Sequence, residues 1–189
     1  VRVHRSVKTI TRYAFHYCYS LLSIEMHDGV EIIEDWAFGY CTSLRRIKLP
    51  GVRVIEENAF AGCRALESVE FGDKLESIEE YAFRSTALRT IKLPKVRVIG
   101  YGAFRYCKQL VDVELCEDLE TIGEEALADC PRLRHIVFPL KDNLLGNDAF
   151  YLCDNLSQVD LVGGIHKTIS SLLLESWKSE MNDEIECIN

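Results

Sequence analysis

Apolar side chains return along most of this chain on a fixed frame. One turn reads Leu44-x-x-Ile47-x-Leu49-Pro50, then Val52-x-x-Ile55, then Ala59-Phe60-x-x-Cys63. The frame comes back at Leu66, Val69, Phe71, Leu75, Ile78 and Phe83, and twice more from Leu88 and Leu110. Its most visible element, Ala-Phe, stands at Phe15, Phe38, Phe60, Phe83, Phe104, Leu127 and Phe150, separated by 23, 22, 23, 21, 23 and 23 residues. Alternation such as Ile47-Lys48-Leu49 predicts a short strand with one face inward. Pro50, Pro94 and Pro139 close that strand, because proline cannot donate to a continuing ladder. The Ala-Phe-x-x-Cys stretch predicts a helical or 3₁₀ turn on the opposite side. A repeat of this length buries its apolar face only against the next one, which makes the architecture a solenoid.

The polar positions carry a second order. The central outward residue of the main strand is Glu25, Lys48, Glu70, Lys92 and Glu114 in successive coils. A second column reads Lys8, Glu31, Arg53, Glu76, Arg97 and Glu120. Both alternate in sign, so each charge is expected to lie between opposite ones in a self-neutralising ladder. The alternation also exposes a two-coil unit: Lys-Leu-Pro-x-Val-Arg-Val-Ile at 48 to 55 returns at 92 to 99. Duplication of that unit is the simplest origin.

The frame Leu-x-x-Ile-x-Leu-Pro, Val-x-x-Ile, Ala-Phe-x-x-Cys resembles the BspA-type leucine-rich repeat over about residues 7 to 161. Departures fall at the C-terminal end, where Leu127 replaces Phe and residues 140 to 145 lack Val-x-x-Ile. The resemblance implies an α/β leucine-rich repeat solenoid, with a parallel β-sheet on one face and short helical or 3₁₀ turns on the other. It implies interaction or adhesion, and it brings no catalytic residues.

Residues 1–163 are therefore expected to form the solenoid, about seven coils of 21–23 residues. Residues 164–189 are expected to form a C-terminal amphipathic helix, because Ile169, Leu173, Trp177, Met181, Ile185 and Ile188 recur at helical spacing. A cap over the last coil is the favoured role. Self-association through this helix is the alternative.

With 189 residues, 48% apolar and 28% charged, the composition is that of an ordinary globular chain. A net charge of −8 argues against a nucleic-acid partner, and no apolar run is long enough for a membrane span. The chain starts at Val1 inside a coil, without a methionine or a signal peptide, and reads as a fragment or excised domain.

Of eight cysteines, six occupy one repeat position: Cys18, Cys41, Cys63, Cys107, Cys130 and Cys153. Parallel side chains on stacked coils rarely meet disulfide geometry, and Thr86 takes the same position in one coil. No Cys-x-x-Cys pair exists and no histidine stands at ligand spacing. Buried free thiols are expected, and with them no metal or other cofactor and a reducing, cytoplasmic compartment. One sequon, Asn155-Leu156-Ser157, points instead to a secreted or cell-surface module.

No phosphate loop, metalloprotease motif or nucleophile elbow is present, so the chain reads as no enzyme. Two surfaces are candidates for a protein partner. The column before the central charges holds Ser23, Arg46, Ser68, Thr90, Asp112, His135 and Gln158, polar and expected to be unpaired. On the other side Tyr13, Tyr17, Trp36 and Tyr40 lie two residues from the inward Phe15 and Phe38, and so are expected to face out as an aromatic patch. The expected function is a non-catalytic protein–protein interaction scaffold, intracellular, with a secreted or cell-surface adhesion module as the alternative.

Overall fold

The computed structural model describes residues 1–139, 141 and 143–162, and the backbone of 165–168. Thirteen short strands follow in order: β1 (Thr9–Ile10), β2 (Ile32–Ile33), β3 (Arg46–Leu49), β4 (Val54–Ile55), β5 (Ser68–Phe71), β6 (Ser77–Ile78), β7 (Thr90–Leu93), β8 (Val98–Ile99), β9 (Asp112–Leu115), β10 (Thr121–Ile122), β11 (His135–Phe138), β12 (Gln158–Leu161) and β13 (Ile165–Thr168). They build a solenoid of three walls.

The strand wall holds β3–β5 and, separately, β7–β9–β11–β12–β13. A second wall of two-residue strands runs unbroken as β1–β2–β4–β6–β8–β10, all parallel. Ile33, Ile55, Ile78, Ile99 and Ile122 line up along it, each buried.

The third wall corrects the expectation of helical or 3₁₀ turns, since no helix occurs among the described residues. In every coil the residues two before and two after the Ala-Phe position are left-handed. The first column is Tyr13, Trp36, Asn58, Tyr81, Gly102, Glu125 and Asp148; the second is Tyr17, Tyr40, Gly62, Ser85, Tyr106, Asp129 and Leu152. A right-handed helix has no room for a positive φ every fourth residue. Amides therefore alternate between two kinds of partner. Ala14, His16 and Cys18 bond three residues back, to Thr11, Tyr13 and Phe15, while Tyr13, Phe15 and Tyr17 donate across to Asp35, Ala37 and Gly39. The cross-coil bond recurs from Phe38 to Ala59, Phe60 to Ala82, Phe83 to Ala103 and Phe104 to Ala126, at 2.7–2.8 Å. Apolar spacing at one and three fits this wall as well as it fits a helix, and only the backbone separates them.

Inside, the phenylalanines stack. Ring centroids of Phe15, Phe38, Phe60 and Phe83 follow at 5.0 Å and nearly parallel, and Phe104 continues at 5.4 Å. Leu127 fills the interrupted position and is fully buried. Cysteine follows in the same wall, and all seven cysteines among the described residues are free thiols. The sulfhydryls of Cys41, Cys63, Cys107, Cys130 and Cys153 donate to the carbonyls of Phe15, Phe38, Phe83, Phe104 and Leu127 in the preceding coil, at 3.0–3.4 Å. A thiol suits this position because it fills apolar space and still satisfies a turn carbonyl. Thr86 supplies a hydroxyl there and contacts the Cys107 sulfur at 3.2 Å. Burial pushes the Cys107 thiol up to about 11, so it holds its proton and is a poor nucleophile.

The C-terminal expectation changes in part. Ile165–Thr168 form β13, antiparallel to β12, where a helix from 164 was expected. A reversed strand ends a parallel stack by pairing its last edge. The apolar stripe from Ile169 to Ile188 lies outside the described residues.

The charge columns form ion pairs, but not on both sides of each residue. Arg2–Glu25 (3.6 Å), Lys48–Glu70 and Lys92–Glu114 (both 2.6 Å) join coils in twos, and on the second wall so do Arg53–Glu76 (2.9 Å) and Arg97–Glu120. Among the described residues Glu70 and Lys92 make no ion pair with each other. The basic residue of one coil reaches the acidic residue of the next, and the two-coil unit of the sequence is a physical pair. Exposed pairs of this kind contribute about 0.2–1 kcal/mol. Lys48→Glu is expected to cost more than Lys48→Ala at low salt, since Glu70 then faces a like charge in register. Equal melting shifts for the two variants at low salt would remove the ladder from the account.

Candidate interaction site

Strand-wall residues are set by alternation. Ile47, Leu49, Ile91, Leu93, Val113 and Leu115 point into the core, and the residues between them point outward. Arg46, Ser68, Thr90 and Gln158 are exposed, as the column requires, and Asp112 and His135 are half-buried. At the C-terminal half the expectation of unpaired polar groups is corrected. His135 Nδ1 lies 3.2 Å from Asp112 Oδ1 and His135 Nε2 lies 3.0 Å from Asp160 Oδ2. Gln158 Nε2 donates to the same Asp160 oxygen at 3.1 Å. One imidazole thus spans β9, β11 and β12, which register places side by side. Both of its nitrogens face carboxylates of neighbouring strands. Asp160 escaped sequence reasoning because it belongs to the neighbouring column, and the contact is diagonal. Arg46 and Thr90, by contrast, make no side-chain hydrogen bond or ion pair among the described residues, and they stand on the two halves of the split wall.

The four aromatic residues are brought together as expected, and His16 joins them. Tyr17 stacks on Tyr40 at 5.2 Å and Trp36 on Tyr40 at 5.8 Å; His16 lies 4.0 Å from Tyr17, 5.3 Å from Trp36 and 5.2 Å from Tyr13. Tyr13 and Tyr17 are about half exposed, while Trp36 and Tyr40 are largely covered. All four sit in the left-handed columns. A side chain there costs roughly 1–2 kcal/mol relative to glycine, and mutual stacking offsets part of it. Gly62 permits the arrangement, since a Cβ on it would stand 2.5 Å from the Tyr40 ring. The rings are first a packing device, with Tyr13 and Tyr17 left as the accessible edge.

The same wall carries an arginine–tyrosine cluster two coils further on. Arg105 pairs with Glu125 and, at 3.4 Å, with Asp129, and its guanidinium lies 4.8 Å over Tyr106. Arg84 lies between Tyr81 and Tyr106, at 5.4 and 5.5 Å. Hydrogen bonds between Tyr101 and Tyr81 and to Glu125 raise the Tyr101 phenol to about 12, so it stays protonated. Sequence reasoning missed this group because Arg84 and Arg105 occupy the column just after the phenylalanine, which has no common character elsewhere: His16, Gly39, Ala61, Ala128 and Tyr151.

Among the described residues no group of His, Cys, Asp and Glu is arranged to hold a metal ion, and no helix is long and apolar enough to cross a membrane.

Known proteins place this architecture. The leucine-rich repeat protein of T. pallidum superposes with a TM-score of 0.67 at 36% identity, over 69% of this chain and 63% of that one. A leucine-rich cell surface protein of Faecalibacterium prausnitzii shares the fold, with a TM-score of 0.52 at 22% identity over 85% of this chain and 60% of that one. The chain thus spans less than two thirds of either protein. No curated protein matches it. The profile of the BspA-type leucine-rich repeat region matches six copies, over residues 8–96, 50–157 and 76–180. Those spans cover most of the sequence and carry the same Ala-Phe frame that stacks in the core: the chain belongs to the BspA-type leucine-rich repeat family.

Proposed function

We propose that this repeat scaffold is a non-catalytic protein–protein interaction module that meets its partner on the strand wall. The observation that carries the reading is the contrast along one column. Asp112, His135 and Gln158 are tied into a hydrogen-bonded group, while Arg46 and Thr90 stand exposed without such partners, one on each sheet of the divided strand wall. Backbone held in a ladder loses little entropy on binding, and unbonded side chains still have hydrogen bonds to make. Tyr13 and Tyr17 are a second, smaller contact area, favoured by their exposure. Seven free thiols support a reducing compartment. The secreted or cell-surface alternative rests on Asn155, which is exposed within its sequon.

Site-specific photo-crosslinking in cells tests the reading. A photoreactive residue at Arg46, Thr90 or Gln158 is expected to capture one discrete partner, competed away by excess unmodified chain. The same residue at Glu57 or Lys108, away from the strand wall, is expected to capture none. Equal capture from all five positions, or capture only when the photoreactive residue is placed instead at Tyr13 or Tyr17, would move the partner off the strand wall.

A further inference from the structure

The strand wall is divided, and the division follows the prolines. Full four-residue ladders join β3 to β5, β7 to β9 and β11 to β12. In each of these the later strand is followed by a residue with an amide: Gly72, Cys116 or Val162. Gly72 donates to Leu49 at 3.1 Å and Val162 to Phe138 at 3.0 Å, extending the ladder one step past the strand. Where the later strand is followed by proline, the ladder is incomplete. β11, followed by Pro139, pairs with β9 over three residues. β3, followed by Pro50, has no ladder with the segment around Glu25, and β7, followed by Pro94, has none with β5. Proline has no N–H to offer at that corner.

At the β5–β7 joint three further observations agree. Val69 and Phe71 are half-buried, whereas Ile47, Leu49, Ile91 and Leu93 are at most 3% exposed. A cleft of about 560 Å³ opens there, floored by Val69, Phe71, Leu93 and Leu115. The other two walls stay bonded across the same pair of coils: Ile78 remains in register with Ile99, and Phe83 donates to Ala103 at 2.8 Å. Two walls held and one free is the geometry of a hinge.

We propose that the Pro94 corner is a hinge built into the solenoid, at which the strand wall opens and closes between β5 and β7 about the two bonded walls. The sequence marks the joint. The coil containing β5 has one residue fewer before β7, in Thr86-Ala87-Leu88, where the others have Cys-x-x-Leu, as in Cys63-Arg64-Ala65-Leu66. Opening changes the separation of Ser68 and Thr90. That consequence for a partner rests on the strand wall being the binding face; the hinge itself does not.

Amide hydrogen exchange on the intact chain tests it without a partner. Alternate amides of a parallel strand point to opposite neighbours, so half of those in β5 and β7 lack a ladder acceptor. These are expected to exchange about ten-fold or more faster than the amides of β9 and β11, which have strands on both sides. Pro94→Ala supplies the missing donor and is expected to slow exchange in β5 and β7 about ten-fold, leaving β6 and β8 unchanged. Equal protection of β5, β7 and β9 in the native chain overturns the hinge, because the wall is then closed at this joint. Fast exchange that persists in a folded Pro94→Ala chain overturns the role of the proline and with it the proposal.

Discussion

Phe60→Ala is expected to destabilise the chain by about 3–5 kcal/mol, the range for a buried aromatic whose space cannot collapse. Phe60 is fully buried, with Phe38 on one face and Phe83 on the other, each at 5.0 Å and nearly parallel. Its backbone holds the coil in place through an amide donated to Ala82 and a carbonyl that accepts from Cys63. Little can therefore move in to fill the void. Each coil meets only its two neighbours, so the loss weakens both interfaces of one coil and is not shared through a globular core. Urea denaturation should show an earlier transition whose slope falls if the halves on either side begin to unfold separately. An unchanged midpoint would mean that the phenylalanine column is not the core.

The walls were legible because their signals are local. Ile47-Lys48-Leu49 alternates as a strand must, and the register of Lys48 opposite Glu70 follows from counting. The cysteine column read as buried thiols for the same reason, since a threonine could replace one. What could not be read was backbone hand. Tyr13, Trp36 and Tyr81 are poor residues for a positive φ, while Asn58, Gly62 and Gly102 in the same columns are good ones. The large rings hid the signal, and a helical turn explained the same apolar spacing. The diagonal from His135 to Asp160 stayed hidden because columns treat each strand position separately. The prolines were read as strand ends. Their effect on the following ladder needed the third dimension, since it appears only when each coil is set beside the one before it.

Gly51→Ala, at a buried corner of the coil, is expected to be the most damaging of the small substitutions in this fold. A Cβ on Gly51 would stand 2.0 Å from the carbonyl oxygen of Asp28 and 2.5 Å from its carbon. Both are backbone atoms, so no side chain can swing aside. The clash falls at a corner where the strand wall has no ladder to resist it, yet the adjoining wall is fixed by Arg53 donating to Glu31 at 2.8 Å and by Ile33 in register with Ile55. The coil must lift at the corner or strain that wall. Either response is overpacking against rigid structure and costs about 3 kcal/mol, the upper end of its usual range. Gly29→Ala provides the comparison, for its Cβ meets only the His27 ring, at 3.0 Å, and a side chain can shift where backbone cannot, here by giving up its hydrogen bonds to the Gly29 amide and the His4 carbonyl. Thermal melts of the two variants should separate clearly, with Gly51→Ala furthest below the parent and Gly29→Ala between the two. Coincident melts would show that the corner at Asp28 yields freely, and that the first two coils are held by the bonded walls alone.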